Sequence, residues 1–244
     1  MTNAEKTCLE NVQQKVNANQ VSLESCLRRI EQMQKDLMAC KAGRCIIFID
    51  NTNLTQSIKR LSQQASGLGQ PVQCFYKLDY FRLVDFLADG RPIQQVRFYY
   101  SDFPEEDVPN DMRSGYESRQ SFWRFLHYKG FSMFRSNLTT NQQGIVREKG
   151  LDAAIVRDMQ RLLTSRGADT FILVSGDADY VQMATDARSE YGVRLEVAFF
   201  ETFTASKLKY NANSFTDLTM CLEELRRTDT RPEYRQETMA ELAS

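Results

Sequence analysis

A single histidine, His127, stands in this chain of 244 residues, and its isolation excludes most histidine chemistry. No second imidazole is available for a zinc pair or a proton relay. His127 itself, in Phe125-Leu126-His127-Tyr128-Lys129, reads as a packed or surface residue of a helix. The six cysteines, Cys8, Cys26, Cys40, Cys45, Cys74 and Cys221, are dispersed without a CxxC pair. Neither a zinc site nor a disulfide framework is expected, and the thiols read as reduced. The opening forty residues are polar and charged throughout, with no bilayer-length apolar run and no signal-peptide pattern. No membrane attachment is expected, and the cytoplasm is the expected location. The net charge is −1, so no whole-molecule field draws in nucleic acid and any polyanion site must be local.

Residues 1–41 also lack Pro and Gly. What they have is a heptad: Leu9, Val16, Leu23, Ile30 and Leu37 recur every seven, with Val12, Asn19, Cys26, Met33 and Cys40 between them. This spacing predicts a coiled-coil helix roughly 60 Å long, with Asn19 as a polar register-setting seam residue. The expectation is a homo-oligomer joined through residues 1–41. The alternative is one amphipathic helix folded back on its own domain.

Ala42-Gly43-Arg44 breaks that helix, and a globular domain is predicted over residues 45–227, followed by a polar tail, 228–244. Predicted strands are Cys45–Ile49, Gln95–Tyr100, Gly130–Phe134, Thr170–Val174 and Val193–Phe199. Predicted helices are 54–66, 79–88, 113–129, 151–165, 178–190 and a last one from Phe215 to Arg227, with a polar loop over 137–148. Strands separated by helices of this length imply an α/β fold, a parallel sheet flanked by helices with right-handed crossovers.

Chemistry gathers where strands end. Phe171-Ile172-Leu173-Val174 runs into Ser175-Gly176-Asp177-Ala178-Asp179-Tyr180, and Cys45-Ile46-Ile47-Phe48-Ile49 runs into Asp50-Asn51-Thr52-Asn53. Open α/β sheets place their ligands beyond the carboxyl ends of such strands. Asp152 falls in the first turn of a helix that follows Glu148-Lys149-Gly150. If that helix starts at the same edge, Asp50, Asp152, Asp177 and Asp179 converge. Unit charges about 4 Å apart repel by roughly 4 kcal/mol at an effective dielectric near 20. A hard divalent cation, Mg²⁺ or Mn²⁺, resolves that repulsion through oxygen ligands. Asp50, Asp152 and Asp177 also have an ordinary reading as helix caps.

Three motifs in order, Ile49-Asp50-Asn51-Thr52-Asn53-Leu54, Lys149-Gly150-Leu151-Asp152 with Asp158 further along, and Leu173-Val174-Ser175-Gly176-Asp177-Ala178-Asp179-Tyr180, resemble those of the NYN domain family, LabA-like branch, of the PIN-like nuclease superfamily. The resemblance covers roughly residues 45–222. It implies a PIN-like (Rossmann-like) sheet and metal-dependent hydrolysis of RNA phosphodiester bonds. Asp50, Asp152, Asp177 and Asp179 would then hold Mg²⁺ or Mn²⁺, with Asn53 and Ser175 behind them, Lys149 at the scissile phosphate and Asp158 either supporting the site or salt-bridged on its helix. Leu208–Phe215 resembles the closing motif but has Asn213 where an acid is usual, and it is given no role. The helix-hairpin-helix of related flap nucleases is missing, which points to single-stranded or structured RNA. Among the cations interleaved with aromatics between Arg113 and Lys149, the phosphate-binding candidates are Arg119, Arg124, Arg135 and Arg147. Most of those aromatics read as the core face of the helix. Two other readings stay open: a non-catalytic RNA-binding or regulatory oligomer that retains the metal site, and an assembly protein built around the coiled coil.

Overall fold

The computed structural model describes residues 15, 19–20, 22–31, 43–67, 78–141, 146–148 and 150–227. The chain divides into two units, Met1–Ala42 and Gly43–Ser244. In the first, residues 22–31 are helical, and the seam positions Leu23 and Ile30 are exposed. The remainder of the heptad and the tail 228–244 lie outside the described residues.

The second unit opens on β1, Cys45–Asp50, every residue of which is buried. A strand so apolar cannot have a wet face, and helices cover both sides of it, as parallel sheets require. Its neighbours are β2 (Ile93–Asp102) and β5 (Thr170–Val174), both parallel to it. Beyond β2 lies β3 (Phe131–Thr140), parallel. Beyond β5 lie β6 (Arg194–Phe199) and β7 (Ser214–Asp217), also parallel. An edge strand, β4 (Val146–Glu148), pairs antiparallel with β3. The sheet among the described residues thus has the order β4-β3-β2-β1-β5-β6-β7. Chain order reverses at β1, so the gap between β1 and β5 is the topological switch point, where ligands of such sheets bind.

Side chains of β1 alternate between two cores, as a pleated strand dictates. Ile47 and Ile49 pack with α1 (Asn51–Gly67), α2 (Tyr80–Ala88) and α3 (Arg113–Tyr128) on one face. Ile46 and Phe48 pack with α4 (Leu151–Thr164), α5 (Val181–Asp186) and α6 (Ser206–Asn211) on the other. Local chemistry sets the helix starts. Asp79 caps α2 by accepting from the Phe81 and Arg82 amides at 3.1 Å. Gly150, at φ 82°, takes the left-handed turn that launches α4.

Three expected elements differ. The strand at Gly130–Phe134 extends to Thr140 and recruits Val146–Glu148 from the expected polar loop, with Leu138 opposite Glu148. Alternating Leu138 and β-branched Thr139 and Thr140 support this extension. The expected final helix at Phe215–Arg227 is instead β7 followed by a 3-10 turn, Leu218–Cys221. Pairing of Phe215 and Thr216 with β6 overrides the helical spacing, and Asp217 caps the turn by accepting from the Thr219 amide. The expected helix 178–190 is divided into a 3-10 turn (Ala178–Tyr180), α5 and a π turn (Ala187–Tyr191).

Candidate functional site

Asp50 closes β1 and sits 2 % exposed at the switch point. Because α1 begins at the very next residue, its carboxylate caps that helix: Oδ1 accepts from the Asn53 amide at 3.0 Å. Oδ2 accepts from the Ser175 hydroxyl at 3.0 Å and from the Tyr180 hydroxyl at 3.3 Å. The same Tyr180 hydroxyl lies 2.9 Å from Oδ1 of Asp152, in the first turn of α4. One fully buried phenol thereby joins a carboxylate at a strand end to a carboxylate at a helix start.

Across the gap, β5 delivers Ser175, Gly176 and Asp177. Asp177 caps the 3-10 turn, its Oδ1 accepting from the Asp179 amide at 3.1 Å. The Gly176 amide reaches the Asn53 side-chain oxygen at 3.4 Å, which ties the two strand ends together. Only glycine fits there, since a Cβ would lie 2.4 Å from the Phe203 carbonyl oxygen and 2.6 Å from Cδ1 of Phe199.

The electrostatics match this crowding. Burial first, then Asp152 and Glu148, push the Asp50 carboxyl up to about 7, against hydrogen bonds from Asn53 and Ser175 that work the other way. Asp152 is raised by burial and by Asp177 and Asp179, with the Tyr180 hydrogen bond opposing. Glu148 at the end of β4 is raised by burial and by Asp152, with a hydrogen bond from Ser101 opposing. These mutual effects put Asp50, Asp152, Asp177, Asp179 and Glu148 in one field. Among the described residues, however, no group of three or more His, Cys, Asp or Glu side chains is arranged to hold a metal ion. The donor chemistry still suits Mg²⁺ or Mn²⁺: the oxygens are hard, and such ions keep several waters and need one or two carboxylates together with substrate phosphate.

Other sequence candidates make contacts outside this carboxylate cluster or lie outside the described residues. Asp158 is the salt-bridged helix acid of its two readings: Oδ2 takes the buried Arg97 guanidinium at 2.7 Å and the Tyr99 hydroxyl at 2.9 Å. Arg119 pairs with Asp102 at 3.3 Å, Arg124 reaches the Ser121 hydroxyl, and Arg135 donates to the Phe103 carbonyl. Lys149 and the Arg147 side chain lie outside the described residues. His127 is exposed, with Nδ1 3.3 Å from the Phe131 carbonyl oxygen. Asn213 ties β6 to its neighbour, its side-chain oxygen accepting from the Leu195 amide at 2.8 Å. Sequence reasoning gave no role to Tyr180 or Glu148. The signal for Tyr180 was its place directly after Asp179, inside the third motif.

The NYN domain model matches residues 44–221, most of the chain and all three motifs. This chain belongs to the NYN domain family. Membership points to a nuclease of the PIN-like superfamily. Among solved structures, a protein of unknown function from Vibrio parahaemolyticus is similar at a TM-score of 0.54 and 17 % identity, over 72 % of this chain and 93 % of that one. At that identity the likeness speaks for the fold of this NYN protein alone. No curated protein matches the chain. Among the described residues, no helix is long and apolar enough to cross a membrane.

Proposed function

We propose that this NYN protein is a divalent-metal-dependent ribonuclease acting on single-stranded or structured RNA, of the LabA-like branch. The observation that carries the reading is the meeting of Asp50 and Asp152, from two different elements, on the Tyr180 hydroxyl at the switch point, with Asp177 and Asp179 close enough to raise Asp152. Asp50, Asp152, Asp177 and Asp179 would hold the ion. When bound, Mg²⁺ or Mn²⁺ orients a water for attack and neutralises charge that grows on the phosphate.

The chain's own residues do the rest. Ser175 and the Asn53 amide fix both oxygens of Asp50, so the carboxylate needs no reorganisation when substrate arrives. Asn53 and Gly176 hold the two strand ends at one spacing. Tyr180 holds Asp152 in line with Asp50. With no second histidine for a cyclic-phosphate route, the expected products carry 5′-phosphate and 3′-hydroxyl ends. Residues 1–41 would join copies of the chain and leave the cleavage chemistry to residues 45–227.

The test incubates the protein with labelled RNA and the matching DNA in Mn²⁺, Mg²⁺ or EDTA, beside Asp50→Asn and Asp152→Asn. Metal-dependent RNA cleavage that both substitutions abolish is the expected result. The second reading, a non-catalytic RNA-binding oligomer, draws on the absence, among the described residues, of any three side chains arranged around a cation. RNA binding that is unchanged by either substitution, with no cleavage in any metal, would select it.

A further inference from the structure

Directly beside the acids, α1 and β2 meet α3 around a cavity of about 710 Å³, a size typical of small-ligand sites. Its wall includes Asn51, the residue after Asp50, and Ser101, whose amide donates to the Thr52 hydroxyl at 3.2 Å. Phe122 and Trp123 supply aromatic surface, and Arg119 and Arg227 supply charge. One buried polar atom of this wall hydrogen-bonds to nothing, Nε1 of Trp123, whereas the Ser101 side chain is engaged by Glu148. An indole N–H can only donate, so a buried one without an acceptor carries an uncompensated desolvation cost. The Tyr80 hydroxyl donates to Oδ1 of Asn51, which leaves the N–H₂ group as the donor end of that side chain.

We infer that this cavity takes one nucleobase of the RNA strand whose phosphate lies over the acids. A base is the ligand that satisfies every wall at once. Its flat faces match aromatic rings, its carbonyl or ring nitrogen accepts from Trp123 and Asn51, and its flanking phosphates match two arginines. Arg119 keeps 39 % of its side chain exposed despite its partner Asp102, and the Arg227 guanidinium lies 5.8 Å from the Phe122 ring centre. The cavity therefore acts as a recognition pocket that sets which nucleotide sits next to the cleaved bond. The inference rests on the ribonuclease reading for the identity of the strand.

Trp123 is the only tryptophan of the chain, so fluorescence excited selectively at tryptophan, past the absorption of the ten tyrosines, reports on this one side chain. The full-length protein is titrated in EDTA, where cleavage is off, with a dye-labelled single-stranded oligoribonucleotide and with one of equal length built from abasic residues. The expected result is saturable change in Trp123 emission with the intact strand, at the same midpoint as the dye's anisotropy, and none with the abasic strand. Trp123→Phe, which keeps a ring but removes the donor, should weaken anisotropy-detected binding about five- to tenfold. Ser118→Phe, on the exposed rim of the cavity, should do the same without lowering the melting temperature. RNA binding that leaves Trp123 emission unmoved, or that both variants leave intact, overturns the pocket. The nuclease reading stands or falls separately, on Mn²⁺-dependent cleavage and its loss in Asp50→Asn.

Discussion

Asp50→Asn should make the metal-free protein more stable at alkaline pH, although it removes the central acid. The folded carboxyl titrates at about 7 against an ordinary value of 3.8, chiefly because burial disfavours its charge. Between those two values the native state binds a proton that the unfolded chain has released, so stability falls as pH rises through that window. The proton's contribution is fully present below pH 3.8 and fully lost above about 7. At about 1.4 kcal/mol per unit, the ceiling on this loss is about 4 kcal/mol, and relaxation of the surroundings will leave part of it. Asparagine is neutral at every pH and nearly the same shape. Its oxygen still accepts from the Asn53 amide, and the Ser175 and Tyr180 hydroxyls can turn to accept from its N–H₂. Thermal melts from pH 5 to 8.5 in EDTA test this. Wild type should drop relative to the variant as pH rises, ending several degrees lower at pH 8, given roughly 2–4 °C per kcal/mol for a domain of this size. Mg²⁺ or Mn²⁺ should narrow the gap by raising wild type. Melting curves that stay parallel across the whole range would refute the assignment of Asp50 as a buried, charge-averse acid.

Tyr180→Phe removes a hydroxyl shared by Asp50 and Asp152, and should cost about 1–3 kcal/mol in urea unfolding at pH 8; it should also loosen Mn²⁺ binding measured by calorimetry, whereas unchanged binding would reduce the phenol to packing. Gly176→Ala forces a methyl against the Phe203 carbonyl and the Phe199 ring, and a destabilisation of about 1–3 kcal/mol is expected by chemical denaturation. Asp158→Ala leaves the Arg97 charge buried, with only 6 % of its side chain exposed, and should cost about 3–5 kcal/mol while leaving Mn²⁺ affinity untouched. A selective loss of Mn²⁺ affinity there would return Asp158 to the site.

The strands that build the switch point were legible because they are continuous apolar runs ending in acids: Cys45–Ile49 and Thr170–Val174 needed no tertiary information. Helix α4 was legible from Gly150 and the spacing of Leu151, Ile155, Met159 and Leu162. The edges were not. Phe215 and Thr216 become a strand only because β6 offers an unpaired ladder, and Val146–Glu148 pair only because β3 runs on past Phe134. Neither partner is visible in a local window. The same limit applied to side chains. The interleaved arginines read as phosphate-binding candidates, but the contacts that hold them in the fold, Arg119 to Asp102 and Arg135 to the Phe103 carbonyl, join residues distant in sequence and show in no local window. Trp123 read as core, and it does pack on Phe98 and Tyr100, with ring centres 5.5 and 4.7 Å away. That its buried N–H is left without a partner is a property of the assembled fold.

The two readings of the acids, helix cap and metal ligand, are not rivals. Asp50 and Asp177 each give one oxygen to a backbone amide two or three residues ahead. A cap made this way locks the carboxylate's rotamer to a backbone that the buried strand already holds rigid. An uncapped surface aspartate samples several rotamers, and ordering it when a ligand binds costs conformational entropy. Capping therefore prepares an acid for a ligand, and removing the cap should impair binding even where the acid remains. The comparison that separates these effects is Asn53→Pro against Asp50→Asn. Proline at Asn53 lacks the amide that Asp50 accepts and also removes the side-chain oxygen facing Gly176, while the carboxylate itself survives. If preorganisation matters, Asn53→Pro should lose Mn²⁺ affinity almost as fully as Asp50→Asn, in calorimetry run below the melting temperature of both. If affinity follows the carboxylate alone, the proline variant will bind as wild type does.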